Sequence, residues 1–389
     1  MWSICVSEWQ CIYSYGSSMN KTNIANLNIP ADQLERIGRW LNANPRKALF
    51  VILLLLMLKS GFTIEYINIS QSYLPGALAF PIPSGYYSSG IGNIILFNMF
   101  GMDSTIEWIS LHVFLITIAL LFLSFLCLRS RYSVVLFLVC VSAPATYTLL
   151  HTIGKYDPFT YAGASLLGLF TVGPTGVLGV LIMALGNPEM ALVTSFCLAI
   201  LSRCREFGYL KRTAYQCASV TILYFLTIKV WHVTNGLVAD RALMLPVFLL
   251  RSISNWITDP LNYFWSLGGV AWLLYICFGL RFRGRNRLMF CLSGIAVPLL
   301  MTLITADGPR VFSLLSLPVL LIASKKIIDN FKKSGSSNFD IILGSYFVIW
   351  VFVPNNGGSN EPIGSSLADI TMSYQENFIH FLKSIWNAQ

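Results

Sequence analysis

The sequence predicts an all-α fold, a polytopic bundle of transmembrane helices, and three observations predict it. The 389 residues are 55% hydrophobic and only 11% charged, whereas soluble domains carry about 25% charged residues, and the mean hydropathy is +0.66. The apolar residues are gathered into runs, such as 48–58, 108–128 and 262–280, of the kind from which bilayer-spanning helices of roughly 20 residues are built. The basic residues fall in short segments between those runs, the distribution that holds positive loops inside. Barrel-type alternation is absent, and lipid offers a backbone no water to bond with, so the spans are helices.

A net charge of +9 would suit a nucleic acid only if it formed one basic face. Here it is divided among loops, so the lipid bilayer is the expected partner and nucleic acid is not. The nine cysteines are scattered, with Cys127, Cys140, Cys197, Cys217, Cys277 and Cys291 inside apolar runs. No CxxC or Cys/His pairing occurs, so neither a disulfide framework nor a zinc site is expected. No cofactor is required, and a divalent metal is left open. Residues 1–20 are mixed and polar and do not read as a cleavable signal peptide; Met19 is an alternative start.

Taken in order, residues 1–46 form a cytoplasmic arm, with a short interfacial helix at 32–41 followed by Arg46 and Lys47 at the membrane. The transmembrane domain covers 47–353. Its first span, 48–64, carries Lys59 toward the far end. The loop 65–107 holds Glu65, Asp103 and Glu107 and no lysine or arginine, and is therefore external. Span 108–128 returns to Arg129 and Arg131 inside, and span 133–150 leads out to 151–157. The run 159–202 is too long for one crossing and is broken at Gly173–Pro174 and at Gly186–Asn187–Pro188. It reads as three short spans, or as one span with a re-entrant pair, ending at Arg203, Arg205, Lys211 and Arg212 inside.

Span 214–231 leads to an external segment, 232–261, with an amphipathic middle. Span 262–280 meets Arg281, Arg283, Arg285 and Arg287, the strongest topological marker in the chain. Residues 288–305 go out, 307–310 turn, and 311–324 return to Lys325, Lys326, Lys332 and Lys333. A last span, 340–353, leaves an external amphipathic tail, 354–389. The total is about 11 crossings, with about 9 as the lower count. The N-terminus is cytoplasmic and the C-terminus external, consistent with a multi-pass protein of a bacterial inner or plasma membrane whose active face is outside.

With that orientation the unusual polar residues fall on the external side: Glu65, His112, His151, Lys155, Asp157, Glu189, Asp307 and Arg310. Ionisable groups near a membrane interior are costly and mark sites or pathways. Each also has a plain structural reading. Asp157 precedes Pro158 and Glu189 follows Pro188, both suited to helix starts, and Asp307 and Arg310 can pair within their turn. Together they supply the parts of a lipid-phosphate transferase: a carboxylate as base toward an acceptor hydroxyl, and Lys155 and Arg310 to grip a phosphate leaving group. Soluble nucleotide-sugar signatures are missing, with no GxGxxG, P-loop, HExxH or DxD.

A first span followed by an external loop bearing Glu65, then GIGNIILFNMFGMDSTIEWISLH at 90–112 and short broken spans, resembles the GT-C class of membrane glycosyltransferases over 47–324. The resemblance implies transfer of a sugar from a polyprenyl-phosphate-linked donor to an external glycan, lipid or protein acceptor. It implies Glu65 as the base; beside it, the clustered polar residues offer Asp157 or Asp307 as substitutes, His112 and His151 to orient acceptor hydroxyls, and Glu189 as a further substrate-binding residue. The sequence departs from that class in lacking a paired acidic motif and a large external C-terminal domain. A surface-polysaccharide polymerase or ligase, using Arg241 and Arg251 in an external loop, is an alternative. So is a transporter or flippase of the glycan pathway, with discontinuous helices around 173–189.

Overall fold

The computed structural model describes residues 29–60, 63–64, 69–79, 91–130, 133–154, 158–235, 240–258, 260–305, 307–333 and 338–353. The architecture is all-α. The sheet formed among the described residues is a parallel pair of two-residue strands, β1 (Thr63–Ile64) and β2 (Thr152–Ile153).

Helix α1 (Ala31–Ala43) is amphipathic and turns by 110° at Asn44 into α2 (Pro45–Ser60), since proline lacks the N–H that would continue α1. After β1, a π-helical turn at Ile69–Tyr73 runs into α3 (Leu74–Leu78), followed by α4 (Ile91–Met99). Helix α5 (Thr105–Arg129) opens with a reciprocal cap. The Ser104 hydroxyl accepts from the Glu107 N–H, and the Glu107 carboxylate accepts from the N–H groups of Ser104 and Asp103, which satisfies donors that a helix start leaves orphaned. Helices α6 (Ser133–Ser142) and α7 (Pro144–His151) are bent by 68°.

The run 159–202 becomes three helices, α8 (Pro158–Leu169), α9 (Pro174–Gly186) and α10 (Pro188–Leu201). Each begins with proline, whose fixed φ suits the first helical position. A 3₁₀ turn at Arg205–Leu210 leads into α11 (Lys211–Thr234), then α12 (Asp240–Thr258). The continuous span expected over 262–280 is instead divided into α13 (Pro260–Gly268) and α14 (Ala271–Arg281). Gly269 turns the chain with φ +50, a value a side chain would strain, and Trp272 Nε1 donates to the Phe264 carbonyl at 2.8 Å across the break. Helix α15 (Gly284–Cys291) continues through a π-helical turn at Leu292–Ala296 into α16 (Val297–Thr302). The last described helices are α17 (Gly308–Lys333) and α18 (Asn338–Phe352).

Among the described residues, α5, the stretch Arg205–Thr234 and α17 are long and apolar enough to cross a membrane; the number reaches five if the bent pairs α1–α2 and α6–α7 each form one span. The lengths and composition of these helices are those of a membrane protein.

Helix α17 is central: positions 311–324 are buried throughout, with α7, α8, α10, α13 and α16 packed around it. Helices α5 and α11 are peripheral and turn Phe114, Leu121 and Phe125, and Leu223, Leu226 and Val230, outward. In lipid such outward faces carry no solvation penalty, so small residues and close packing select which helices meet. A Cβ at Gly163 of α8 would collide with the backbone of Met183 in α9, and one at Gly38 of α1 with the Asp340 carbonyl of α18. The α6–α7 break lies against α17. There the Ala145 N–H donates to Ser313 Oγ at 2.8 Å and Thr146 Oγ1 donates to the Cys140 carbonyl at 2.7 Å, so protein satisfies the backbone freed by the bend.

At one end of the bundle, Asn286 bonds the segment after α10. Its Oδ1 accepts from the Arg205 N–H at 3.2 Å and its Nδ2 donates to Glu206 at 3.3 Å. Arg203 and Arg205 are thereby brought beside the segment that carries Arg283, Arg285 and Arg287. The Cys204 thiol in this joint is pushed up to about 11, mainly by burial.

Candidate functional site

The other end of the bundle gathers the segments that carry the candidate residues. Strands β1 and β2 align Thr63 with Thr152 and Ile64 with Ile153. Two stretches almost ninety positions apart in the chain therefore run side by side. Glu65 directly follows β1, and Lys155–Asp157 directly follow Gly154 at the end of β2. Glu65, Lys155, Asp157 and the side chain of His151 lie outside the described residues, so the pairing concerns the backbone that leads to them.

Beneath this pair the packing is specific. Gly154 has φ +89, a conformation that glycine adopts without cost, and a Cβ there would sit 2.7 Å from Ile69 Cδ1. Its carbonyl accepts a 2.9 Å bond from Trp108 Nε1 on α5. One turn further along α5, His112 is buried with its ring 4.6 Å from that of Trp108. His112 Nδ1 lies 2.9 Å from the Trp108 carbonyl and Nε2 lies 3.0 Å from Asn93 Nδ2 on α4. A carbonyl only accepts, so the proton is assigned to Nδ1, and Nε2 accepts from the Asn93 amide. Both ring nitrogens are engaged within the fold. Among the described residues, buried Asn93 Oδ1 has no hydrogen-bond partner.

Helix α4 also leans on the breaks in the 158–201 region. A Cβ at Gly92 would lie 3.0 Å from the Phe159 ring and 3.2 Å from the Leu185 carbonyl. The turn of α4 that carries Gly92 and Asn93 therefore lies against the start of α8 and the end of α9. There Asn187 closes α9 through its N–H and caps α10, its Oδ1 accepting from the Met190 N–H at 2.9 Å. Glu189 occupies the first turn of α10, where a carboxylate complements the helix dipole. Asp307 and Arg310 form an ion pair at the start of α17, with Nε to Oδ2 at 2.9 Å and side chains about one-fifth exposed. Tyr263 of α13 lies over Gly308 between them in sequence. One turn on, Ser313, which donates to the Arg310 carbonyl at 3.2 Å, is the residue that holds the start of α7.

No protein-family model, curated protein or solved structure matches this chain. Among the described residues, no group of three or more His, Cys, Asp or Glu side chains is arranged to hold a metal ion.

The structure brings together β1, β2, Trp108, His112 and Asn93, and sets the Glu189 turn beside them. The Asp307–Arg310 pair is linked to β2 through α7, at the other end of that helix. Sequence reasoning overlooked Asn93, Trp108 and Gly154. Asn93 had a signal, a carboxamide within the apolar helix IGNIILFNM. The sequence places Lys59 toward the far end of the first span. Its Nζ donates to the Trp350 carbonyl and, at 2.6 Å, to the Val353 carbonyl, and lies 5.3 Å from the Trp350 ring centre. The Arg241 side chain, the segment 1–28 and the tail 354–389 lie outside the described residues.

Proposed function

We propose that the protein is a membrane glycosyltransferase of GT-C type that transfers a sugar from a polyprenyl-phosphate-linked donor to an acceptor on the external face. The observation that carries the reading is the β1–β2 pairing, which runs the segment leading to Glu65 alongside the segment leading to Lys155 and Asp157. A carboxylate and an ammonium, carried by residues that follow two paired strands in sequence, are the two charges such a transfer needs. Glu65 takes the proton from the acceptor hydroxyl. The hydroxyl oxygen attacks the anomeric carbon, and the bond from that carbon to the phosphate oxygen breaks. The bonding pair leaves with the polyprenyl phosphate, whose charge Lys155 and Arg310 hold. Asp157 and Asp307 are the alternative bases, and His151 orients the acceptor. His112, with both nitrogens engaged, positions the loop through Trp108 and Gly154, and Glu189 lines the far wall.

About 11 spans, the arginine-rich end inside and the β1–β2 end outside, complete the proposal. On this reading the protein belongs to a bacterial inner or plasma membrane, with its active face outward.

The test is turnover by purified protein of a panel of polyprenyl-phosphate sugars, with Glu65→Gln beside wild type. Turnover that Glu65→Gln lowers by about 10²-fold or more supports Glu65 as base. Turnover that survives the change keeps the enzyme and moves the base to Asp157 or Asp307. Absence of turnover favours the transporter reading, for which the broken α6–α7 helix against α17 is the supporting observation.

A further inference from the structure

Over residues 245–258, helix α12 turns side chains in three main directions. Ser252 and Trp256, four residues apart, face the protein. Ser252 Oγ donates to the Thr302 carbonyl at 3.1 Å, and the Trp256 ring meets Tyr263 edge-on at 5.0 Å. Pro246, Leu250, Ile253 and Ile257, spaced four, three and four apart, form a second stripe, and all are exposed, Leu250 by 68% and Ile257 by 75%. Arg251, Ser254 and Thr258 form a third, polar stripe, also exposed, which Val247, exposed by 54%, continues toward the start of the helix. At 3.6 residues per turn the apolar and polar stripes lie on neighbouring sides of the helix, both turned away from the bundle.

A helix that crossed the bilayer would carry Arg251 with Ser254 and Asn255 into hydrocarbon, which is costly without partners. A helix in water would leave the Leu250–Ile257 stripe exposed as an apolar patch. Both costs vanish at the membrane surface, where one side meets acyl chains and the other meets headgroups and water. The preceding helix supports the same level, because α11 carries exposed Val230 and Val233 into its last turn.

We infer that α12 is a monotopic interfacial helix, with Leu250, Ile253 and Ile257 inserted into one leaflet and Arg251 at the level of the lipid phosphates. Its occupant is lipid, and the inference is independent of the reaction proposed above. Through Ser252 and Tyr263 the helix is fastened to the turn bearing Asp307 and Arg310, so that turn lies at the same membrane surface.

The test uses the full-length protein in phospholipid vesicles with a fluorescent amino acid, acridonylalanine, at Leu250 or Ile257, and at Leu121 of α5 as a core reference. The vesicles contain phospholipid carrying a nitroxide either just below the headgroup or at the chain end. The shallow nitroxide is expected to quench the Leu250 and Ile257 probes roughly twofold more strongly than the deep one, with the order reversed at Leu121. Stronger quenching by the deep nitroxide at Leu250 would mean that α12 crosses the membrane. Absence of quenching by either would mean that water, a second copy or another protein covers the stripe. Each of these two results overturns the inference.

Discussion

At the scale of single residues, the buried pair of Asn93 and His112 decides how α4 meets α5. Its bond joins two polar groups inside an apolar environment, where an unmade bond costs about 1–3 kcal/mol. His112→Phe strands the Asn93 amide, and is expected to lower the melting temperature in detergent by an amount corresponding to that range. Adding Asn93→Leu removes the second polar group, and the double variant is expected to recover part of the loss. Thermal unfolding of wild type, the two single variants and the double variant checks this; a double variant less stable than the sum of the single effects would show that the pair is not an isolated bond. His112 was legible in the sequence as an unusual polar residue near a span end. Its partner was not, because nothing in local spacing relates position 93 to position 112 across an intervening turn.

At the scale of elements, the helix starts were legible and the helix ends less so. Pro158, Pro174 and Pro188 each begin a helix where the sequence shows a start or a break, because proline restricts its own φ and needs no sequence-distant partner; Pro45 begins α2 within what the sequence reads as the N-terminal arm. The division of 262–280 at Gly269 was not legible. A glycine in an apolar run reads as helix or turn alike until its neighbours are known, and here Trp272 bonds back across the break to Phe264. Lys59 joins two elements from opposite ends of the chain, its ammonium serving the last carbonyls of α18, which a helix end leaves without intrahelical donors. Lys59→Met keeps the apolar stem and removes both bonds. The expected result is a loss of about 1.5–3 kcal/mol for hydrogen bonds from a charged group, read as earlier thermal unfolding. Lys59→Arg should retain part of it, and equal melting temperatures for Met and wild type would refute the capping role.

At the scale of the whole molecule, the arginine-rich joint around Asn286 and the β1–β2 pair occupy opposite ends, as the directions of α8, α9 and α10 require. The positive-inside rule then predicts the orientation. In intact cells a membrane-impermeant maleimide should label Asn235→Cys at the end of α11, and should label Arg285→Cys only after permeabilisation, each read against the parent protein. Labelling of Arg285→Cys in intact cells would invert the topology and move the proposed active face to the cytoplasm.

The sequence by itself determined that this protein is built of apolar helices, where many of them begin, and which of its charges are unusual. Those properties follow from residue type and near-neighbour spacing, since lipid penalises an unpaired backbone or a charge wherever it falls. The tertiary structure alone decided that the segment before Glu65 lies beside the segment before Lys155, that Asn93 meets His112, and that Lys59 closes α18. Each of these unites groups far apart in the chain, and their meeting depends on helix directions and close approaches fixed only when the whole bundle is packed.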